Sequence, residues 1–149
     1  MWFFIMAILV IFVVWKLTKK WSVGLLIGYV LIILGETIIF RIPKDYYRYQ
    51  LQLFWSYEIW EKAKEEIIAN IFVYTPVGVI AGRLWKWKGI LFGIGLSVLT
   101  EVLQLVTHRG WFELADLLHN SLGTLIGFAI YIVGMKIFNK VIKRYESLV

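Results

Sequence analysis

The sequence predicts an all-α polytopic membrane protein with about five transmembrane helices and an interfacial aromatic segment. Composition is the first reason, because 60% of the 149 residues are hydrophobic and only 17% are charged. A soluble domain is nearer half apolar and a quarter charged, so this excess is too large for a small core to hide. The other two reasons are apolar runs long enough to cross a bilayer and basic residues at the ends of those runs.

The first two predicted spans cover residues 2–17 and 22–40. The first ends in the basic sequence KLTKK, and no positive charge precedes its apolar core. A secretory signal would show the opposite charge order and a small-residue cleavage site, so we expect an uncleaved helix. The second span contains Gly24 and Gly28, a spacing that favours close helix packing, and its one acidic residue, Glu36, lies near its end.

The segment that follows, residues 41–66, differs from the spans because it mixes aromatic rings with charges of both signs. Amphipathic rings favour the boundary between membrane and water. We therefore expect this segment to lie along the interface rather than to cross it, with Phe54, Trp55 and Trp60 shielded from water.

The remaining predicted spans cover residues 67–84, 89–107 and 113–136. The third span contains Pro76, which removes a backbone hydrogen bond and is expected to kink the helix. No tandem repeat or soluble domain is apparent, so residues 1–149 are interpreted as a single transmembrane domain. Glycines on the third and fifth spans predict close helix packing, and these are Gly78, Gly82, Gly123 and Gly127.

The distribution of lysine and arginine predicts the orientation. One side of the predicted topology is more basic, and its connections are short and nearly free of acidic residues, which favours the cytoplasm. The N-terminus is then outside and the C-terminus cytoplasmic. The cytoplasmic side holds Lys16, Lys19, Lys20, Arg83, Lys86, Lys88, Lys136, Lys140, Lys143 and Arg144, and the outer side holds Arg41, Lys44, Arg48, Lys62, Lys64 and Arg109.

Polar residues gather in the outer half of this topology, and they form the candidate site. Polar groups inside membrane spans are costly, which favours a functional interpretation. Spacings of three and four residues place neighbours on one helix face, and the short loop between the last two spans brings their faces together. We expect one polar pocket that opens outward, with the candidate residues Glu36, Arg41, Asn70, Glu101, Gln104, Arg109, Asp116 and Asn120.

Structural roles are open for several of these residues. Asn70 and Gln104 are amides of the kind that join membrane helices, and Asp116 suits the positive end of a helix dipole. Glu101 is the strongest functional candidate, since a buried carboxylate needs a partner, for which Arg109, Arg41 or Asn70 is expected. A metal held by Glu101, His108, Asp116 and His119 would match no familiar ligand spacing, so no metal and no cofactor are predicted.

Three pieces of sequence resemble the VanZ family, small membrane proteins named for one associated with teicoplanin resistance. They are NIFVYTPVG at 70–78, EVLQ at 101–104 and the pattern R-x6-D-x3-N-x2-G-x3-G from Arg109 to Gly127. The segment RYQLQLFWSY departs from the family, because it lacks a proline and has Gln50 where an asparagine is expected. The resemblance implies a helical membrane protein with a role at the cell envelope, and it implies no particular reaction.

Three functions follow as hypotheses for a multi-pass protein of the plasma membrane. The first is an envelope protein whose pocket binds a lipid-linked glycan or glycopeptide-like amphiphile and is linked to teicoplanin resistance. The second is an enzyme acting on a lipid or lipid-linked precursor, with Glu101 or Asp116 as general base and Arg109 clamping a phosphate. The third is a helper subunit of a larger membrane complex, and a homo-oligomer is a further option. Nucleic acid is not expected, because the positive charge follows the ends of the spans.

Overall fold

The computed structural model describes residues 8, 11–13, 16, 20–45 and 48–148. The described chain is an all-α membrane protein, as predicted, with four stretches long and apolar enough to cross a bilayer. The first predicted span, residues 2–17, lies largely outside the described residues. The four stretches correspond to the second to fifth predicted spans and are Trp21–Ile39, Trp60–Trp85, Lys88–Val106 and Leu114–Glu146.

The first of these stretches changes its winding part-way. Helix α1 covers Trp21–Leu34, and a π-helix continues it over Gly35–Ile39. The wider turn is closed by a bond from the Phe40 N–H to the Gly35 carbonyl, 2.9 Å long. Such π-turns are rare and are found mostly at functional sites. The sequence predicted this span but not its change in winding.

The aromatic segment is held against the loop between the last two long helices. Strand β1, Tyr49–Gln50, pairs in parallel with strand β2, Phe112–Glu113. The Lys44 N–H donates to the His108 carbonyl over 2.8 Å and adds a second tie. A short helix, α2, follows at Trp55–Glu58. The strand pair was not predicted, whereas the position of this segment at a membrane interface stays a prediction.

Helix α3 covers Trp60–Trp85 and is continuous through Pro76. It begins before residue 67, where the third membrane span was predicted to start, and the boundary of the span within the helix stays a prediction. The charged residues between 61 and 66, which had indicated a surface segment, form the first turns of α3. The apolar part of the helix follows them. Helix α4 follows over Lys88–Val106, and helix α5 covers Leu114–Glu146, well past the predicted end at residue 136.

Among the described helices, α3 and α5 make the closest contact, which we call the glycine seam. A Cβ atom at Gly78 would collide with the Thr124 carbonyl oxygen, and one at Gly127 would collide with the Thr75 carbonyl oxygen. Gly123 meets the Ile71 carbonyl in the same way. Residue numbers rise together along the two helices, so α3 and α5 run parallel.

Larger side chains continue the seam toward the end of α3. A Cβ at Gly82 would lie 2.8 Å from the Phe128 ring and 3.2 Å from the Tyr131 ring. Helix α4 packs against the opposite side of the pair, where Gly93 meets the Thr124 side chain. The structure thus places all four glycines that were assigned to helix packing between α3 and α5.

Candidate functional site

A cavity of about 210 Å³ lies beside the glycine seam, among α1, the π-helix, α3, α4 and α5. We call it the carboxylate cavity, because three carboxylate side chains reach it within a bundle of apolar helices. Its lining residues are Tyr29, Ile32, Ile33, Glu36, Thr37, Arg41, Asn70, Val73, Tyr74, Thr100, Glu101, Gln104, Asp116 and Asn120. Seven of the eight candidate residues are in this lining, and Arg109 is not.

Glu101 is fixed by a backbone group rather than by a cation. Its side chain is 2% exposed, and one carboxylate oxygen accepts a hydrogen bond from the Glu113 N–H over 3.0 Å. The predicted partners Arg109, Arg41 and Asn70 do not make this bond, so that expectation was wrong. The bond is available because Glu113 precedes α5, where backbone N–H groups have no partner within the helix.

Asp116 is the second buried carboxylate, and an amide orients it. The Asn70 side-chain amide donates to one Asp116 oxygen over 2.8 Å, which ties α3 to α5. Asp116 also lies in the first turn of α5, where a negative charge is favoured by the helix dipole. Asn70 therefore joins helices and lines the cavity at once, so the two interpretations of this residue are compatible.

A chain of hydrogen-bonded polar groups links α3, α4 and α5 beside the cavity. The Thr100 hydroxyl donates to the Ser97 carbonyl over 2.8 Å, so the Tyr74 hydroxyl, 2.9 Å away, must be the donor to Thr100. The Asn120 amide donates to the Ser97 hydroxyl over 3.0 Å. The sequence did not single out Tyr74, Ser97 and Thr100, because hydroxyl groups are common in membrane helices. The available signal was spacing, since Ser97 lies one turn before Glu101.

Arg109 performs a structural role away from the cavity. Its guanidinium donates to the carbonyls of Ile38 and Ile39 over 2.9 and 2.6 Å. These carbonyls end the π-helix, where backbone acceptors lack partners and the helix dipole is negative, so a cation is attracted there. Arg109 is therefore outside the lining of the carboxylate cavity, and its role in clamping a phosphate stays a prediction.

A shallower cavity of about 620 Å³, which we call the vestibule, shares Arg41 with the carboxylate cavity. Its other lining residues are Ile42, Lys44, Trp55, Glu66, Arg109, Gly110, Trp111 and Glu113. The Arg48 guanidinium carbon lies 4.1 Å from the centre of the Trp111 ring, a cation–π contact. Burial, and then the nearby Glu66 carboxylate, raise the pKa of the Glu113 side chain above its ordinary value.

The comparison with known families covers the part of the chain that forms both cavities. A model of the VanZ/LLP1 family matches residues 1–138. The chain belongs to the VanZ/LLP1 family. Comparison with curated proteins and with solved structures gives no match. The family and the apolar helices together identify a membrane protein of the VanZ type.

The two histidines of this VanZ-family protein are engaged outside the carboxylate cavity. One nitrogen of His108 lies 3.1 Å from the Lys44 carbonyl oxygen, and one nitrogen of His119 lies 3.1 Å from the Tyr57 hydroxyl. In the part of the chain that the structure describes, no group of three or more His, Asp and Glu side chains is arranged to hold a metal ion. The polar groups in the cavity lining are carboxylates, amides, hydroxyls and the Arg41 guanidinium.

Proposed function

We propose that this VanZ-family protein is a cell-envelope membrane protein that binds the polar end of an amphiphile in the carboxylate cavity. The ligand class is a lipid-linked glycan or a glycopeptide-like molecule, and the membrane is the plasma membrane. The observation that carries the proposal is the convergence of three carboxylates and three amides on one cavity inside an apolar bundle. Buried polar groups are costly in a membrane helix, and a concave site with convergent polar groups is the usual form of a ligand pocket.

The size of the cavity supports recognition of a headgroup rather than a whole lipid. Its volume of about 210 Å³ corresponds to the liquid volume of roughly seven water molecules. A small polar group fills such a space, and the apolar chains of the same molecule would stay in the surrounding bilayer. This division suits an amphiphile, because each part keeps the environment that it prefers.

In the proposed orientation, the cavity opens on the outer side of the membrane, because the more basic connections lie at the opposite ends of the helices. The chain contains no cysteine, so single cysteines can be introduced without removing others. We expect Asp45→Cys to react with an impermeant thiol reagent added to intact cells, and Trp87→Cys to react only after permeabilisation. The reverse pattern would move the cavity to the cytoplasmic side.

The ligand proposal is tested by native mass spectrometry of the protein purified in a mild detergent, together with growth in teicoplanin. We expect the wild type to retain a lipid-like molecule and to raise tolerance in a sensitive host. Glu101→Gln keeps the shape and an acceptor for the Glu113 N–H but removes the charge, so it should express normally and lose both properties. Glu65→Gln, an exposed change outside both cavities, is the control. If Glu101→Gln retains the molecule and the tolerance, the proposal fails.

A second candidate is an enzyme that acts on a lipid or lipid-linked precursor. The observation in its favour is that Glu101 and Asp116, on different helices, line the same cavity. Two carboxylates in one site are suited to general acid–base catalysis. The two functions are separated by chemical analysis of the bound molecule after incubation, because an enzyme converts the amphiphile and a binding protein returns it unchanged.

A further inference from the structure

The hydroxyl groups of the carboxylate cavity donate their hydrogens to the protein itself. The Tyr29 hydroxyl donates to the Val73 carbonyl over 3.0 Å, and the Thr37 hydroxyl donates to the Ile33 carbonyl over 2.7 Å. Tyr74 and Thr100 form the donor chain described above, which ends on a backbone carbonyl. None of these four hydrogens is left for a ligand, so the hydroxyls can offer it only acceptor oxygens.

The same cavity keeps acceptors without partners. Asn120 is 4% exposed, its amide nitrogen is used on Ser97, and its side-chain oxygen is buried with no hydrogen bond. Glu101 and Asp116 each have one oxygen bonded to a wall group, and no described residue donates to the other oxygen. A buried acceptor without a partner is costly, which makes a donor-bearing ligand favourable here.

The charges point in the same direction. The lining contains the carboxylates Glu36, Glu101 and Asp116 against one cation, Arg41, which is exposed at the rim. Among the described residues, the one ion pair within 4.0 Å joins Lys64 and Glu61, outside this lining. Buried carboxylates are strongly stabilised by a cation that also donates hydrogen bonds.

We propose that the carboxylate cavity recognises a primary ammonium group carried by a membrane amphiphile. The ammonium supplies three N–H donors, which suit the Asn120 oxygen and the unbonded oxygens of Glu101 and Asp116. Arg41, at the junction with the vestibule, pairs with an anionic group of the same molecule. This inference rests on the proposed function, and it narrows the ligand to a headgroup with a deep cation and a shallower anion.

The chemistry of the ligand is tested with lipids that share acyl chains and differ in headgroup. Delipidated protein in detergent is titrated with phosphatidylethanolamine, phosphatidylcholine and phosphatidylglycerol, and binding is measured by native mass spectrometry. The first lipid has a primary ammonium, the second has a cation without N–H donors, and the third has hydroxyls without a cation. We expect the ethanolamine lipid to bind at least about tenfold more tightly than either of the others, because charge-assisted hydrogen bonds are lost with both.

Two variants separate headgroup preference from overall affinity. Glu36→Gln, an exposed change of similar size at the cavity rim, should reduce the preference for the ethanolamine lipid over the choline lipid severalfold. Arg41→Gln should weaken the binding of the ethanolamine lipid and of the choline lipid to a similar extent. The ratio of their two affinities should therefore stay unchanged. The control Glu65→Gln should change neither quantity.

The source of the ammonium is tested with a second lipid pair, a glucosaminyl and a glucosyl diacylglycerol. Tight binding of the glucosaminyl lipid alone supports the inference and identifies an amino sugar as an accepted source. Equal binding of the two glycolipids, or equal binding of the ethanolamine and choline lipids, overturns it. Preferential binding of phosphatidylglycerol also overturns it, although the cavity would still bind an amphiphile. If no lipid binds more tightly to the wild type than to Glu101→Gln, the proposed function itself fails.

Discussion

The glycine seam and the carboxylate cavity lie side by side on the same two helices, and they differ in almost every physical respect. In the seam, Gly78 and Gly127 bring backbones together so closely that even a methyl group is excluded. In the cavity, Asn70 and Asp116, on those same helices, keep α3 and α5 in register through their side chains and leave space between the walls. One region is defined by the absence of side chains and the other by their chemistry.

The two regions also differ in whether their polar groups have hydrogen-bond partners. In the seam, the Thr75 hydroxyl donates to the Ile71 carbonyl over 2.8 Å, within its own helix, so nothing remains for a ligand. In the cavity, Asn120 keeps a buried oxygen without a partner. Ile71 follows Asn70, and Gly123 lies three residues after Asn120, so the seam begins within one helical turn of the cavity lining.

The largest expected effect is on the seam. Gly127→Ala should overpack α3 against α5 and lower the free energy of unfolding by about 3 kcal/mol or more, seen as a lower melting temperature in detergent, because the new methyl group meets backbone atoms that cannot move aside. Gly134→Ala is the matched control, because a Cβ at Gly134 meets nothing within 4 Å. Alanine has a higher helix propensity than glycine, so the control should be as stable as the wild type or slightly more stable. Equal melting temperatures for the two variants would show that the seam is not close-packed.

An intermediate effect separates Arg41, which lines the carboxylate cavity, from Arg109, which binds the end of the π-helix. Arg109→Ala removes the bonds to the Ile38 and Ile39 carbonyls and should lower the free energy of unfolding by about 1.5–3 kcal/mol. Arg41→Ala should leave the melting temperature nearly unchanged and weaken ligand binding. Thermal unfolding and lipid binding are measured for both. If Arg41→Ala unfolds earlier than Arg109→Ala, the assignment of a structural role to Arg109 is wrong.

The smallest expected effect is a dependence of stability on pH at the vestibule. The pKa of Glu113 is raised in the folded protein, chiefly by burial and then by Glu66, with Arg41 acting in the opposite direction. The folded state therefore holds this proton more tightly than the unfolded state. Its stabilising contribution is present below the ordinary pKa of a glutamate and is lost as the pH rises through the raised value. Melting temperatures across this range should fall less with rising pH in Glu113→Gln than in the wild type; equal slopes would contradict the prediction.

Much of this architecture could be predicted from the sequence, for physical reasons. Long apolar runs predicted the spans that became α1 with its π-helix, α3, α4 and α5, because the bilayer fixes the length of such helices. Polar residues at helical spacing predicted which faces meet, since Glu101 with Gln104 and Asp116 with Asn120 each share a face. These features depend on local sequence, so they can be read without a structure.

The remainder depends on partners distant in sequence. Nothing in the residues around Gly35 shows that the helix widens there, and the Arg109 side chain that binds the last carbonyls of the π-helix comes from about 70 residues further along the chain. Arg41 and Arg109 are equivalent in a sequence, and only the fold shows that one borders the cavity and the other ends a helix. The partner of Glu101 is a backbone N–H, a group that every residue except proline possesses and that no side-chain pattern can indicate.

The parallel pairing of α3 with α5 has a consequence for biosynthesis. The ribosome makes α3 and then α4 before it reaches Gly123 and Gly127, so the exposed carbonyls of Ile71 and Thr75 must wait for the last helix to arrive. Until then lipid covers the face that α5 will occupy, and Asn70 has no Asp116 to bond. The carboxylate cavity is therefore completed only when α5 is made, and a nascent chain stalled before α5 is inserted would be membrane-embedded but without this cavity.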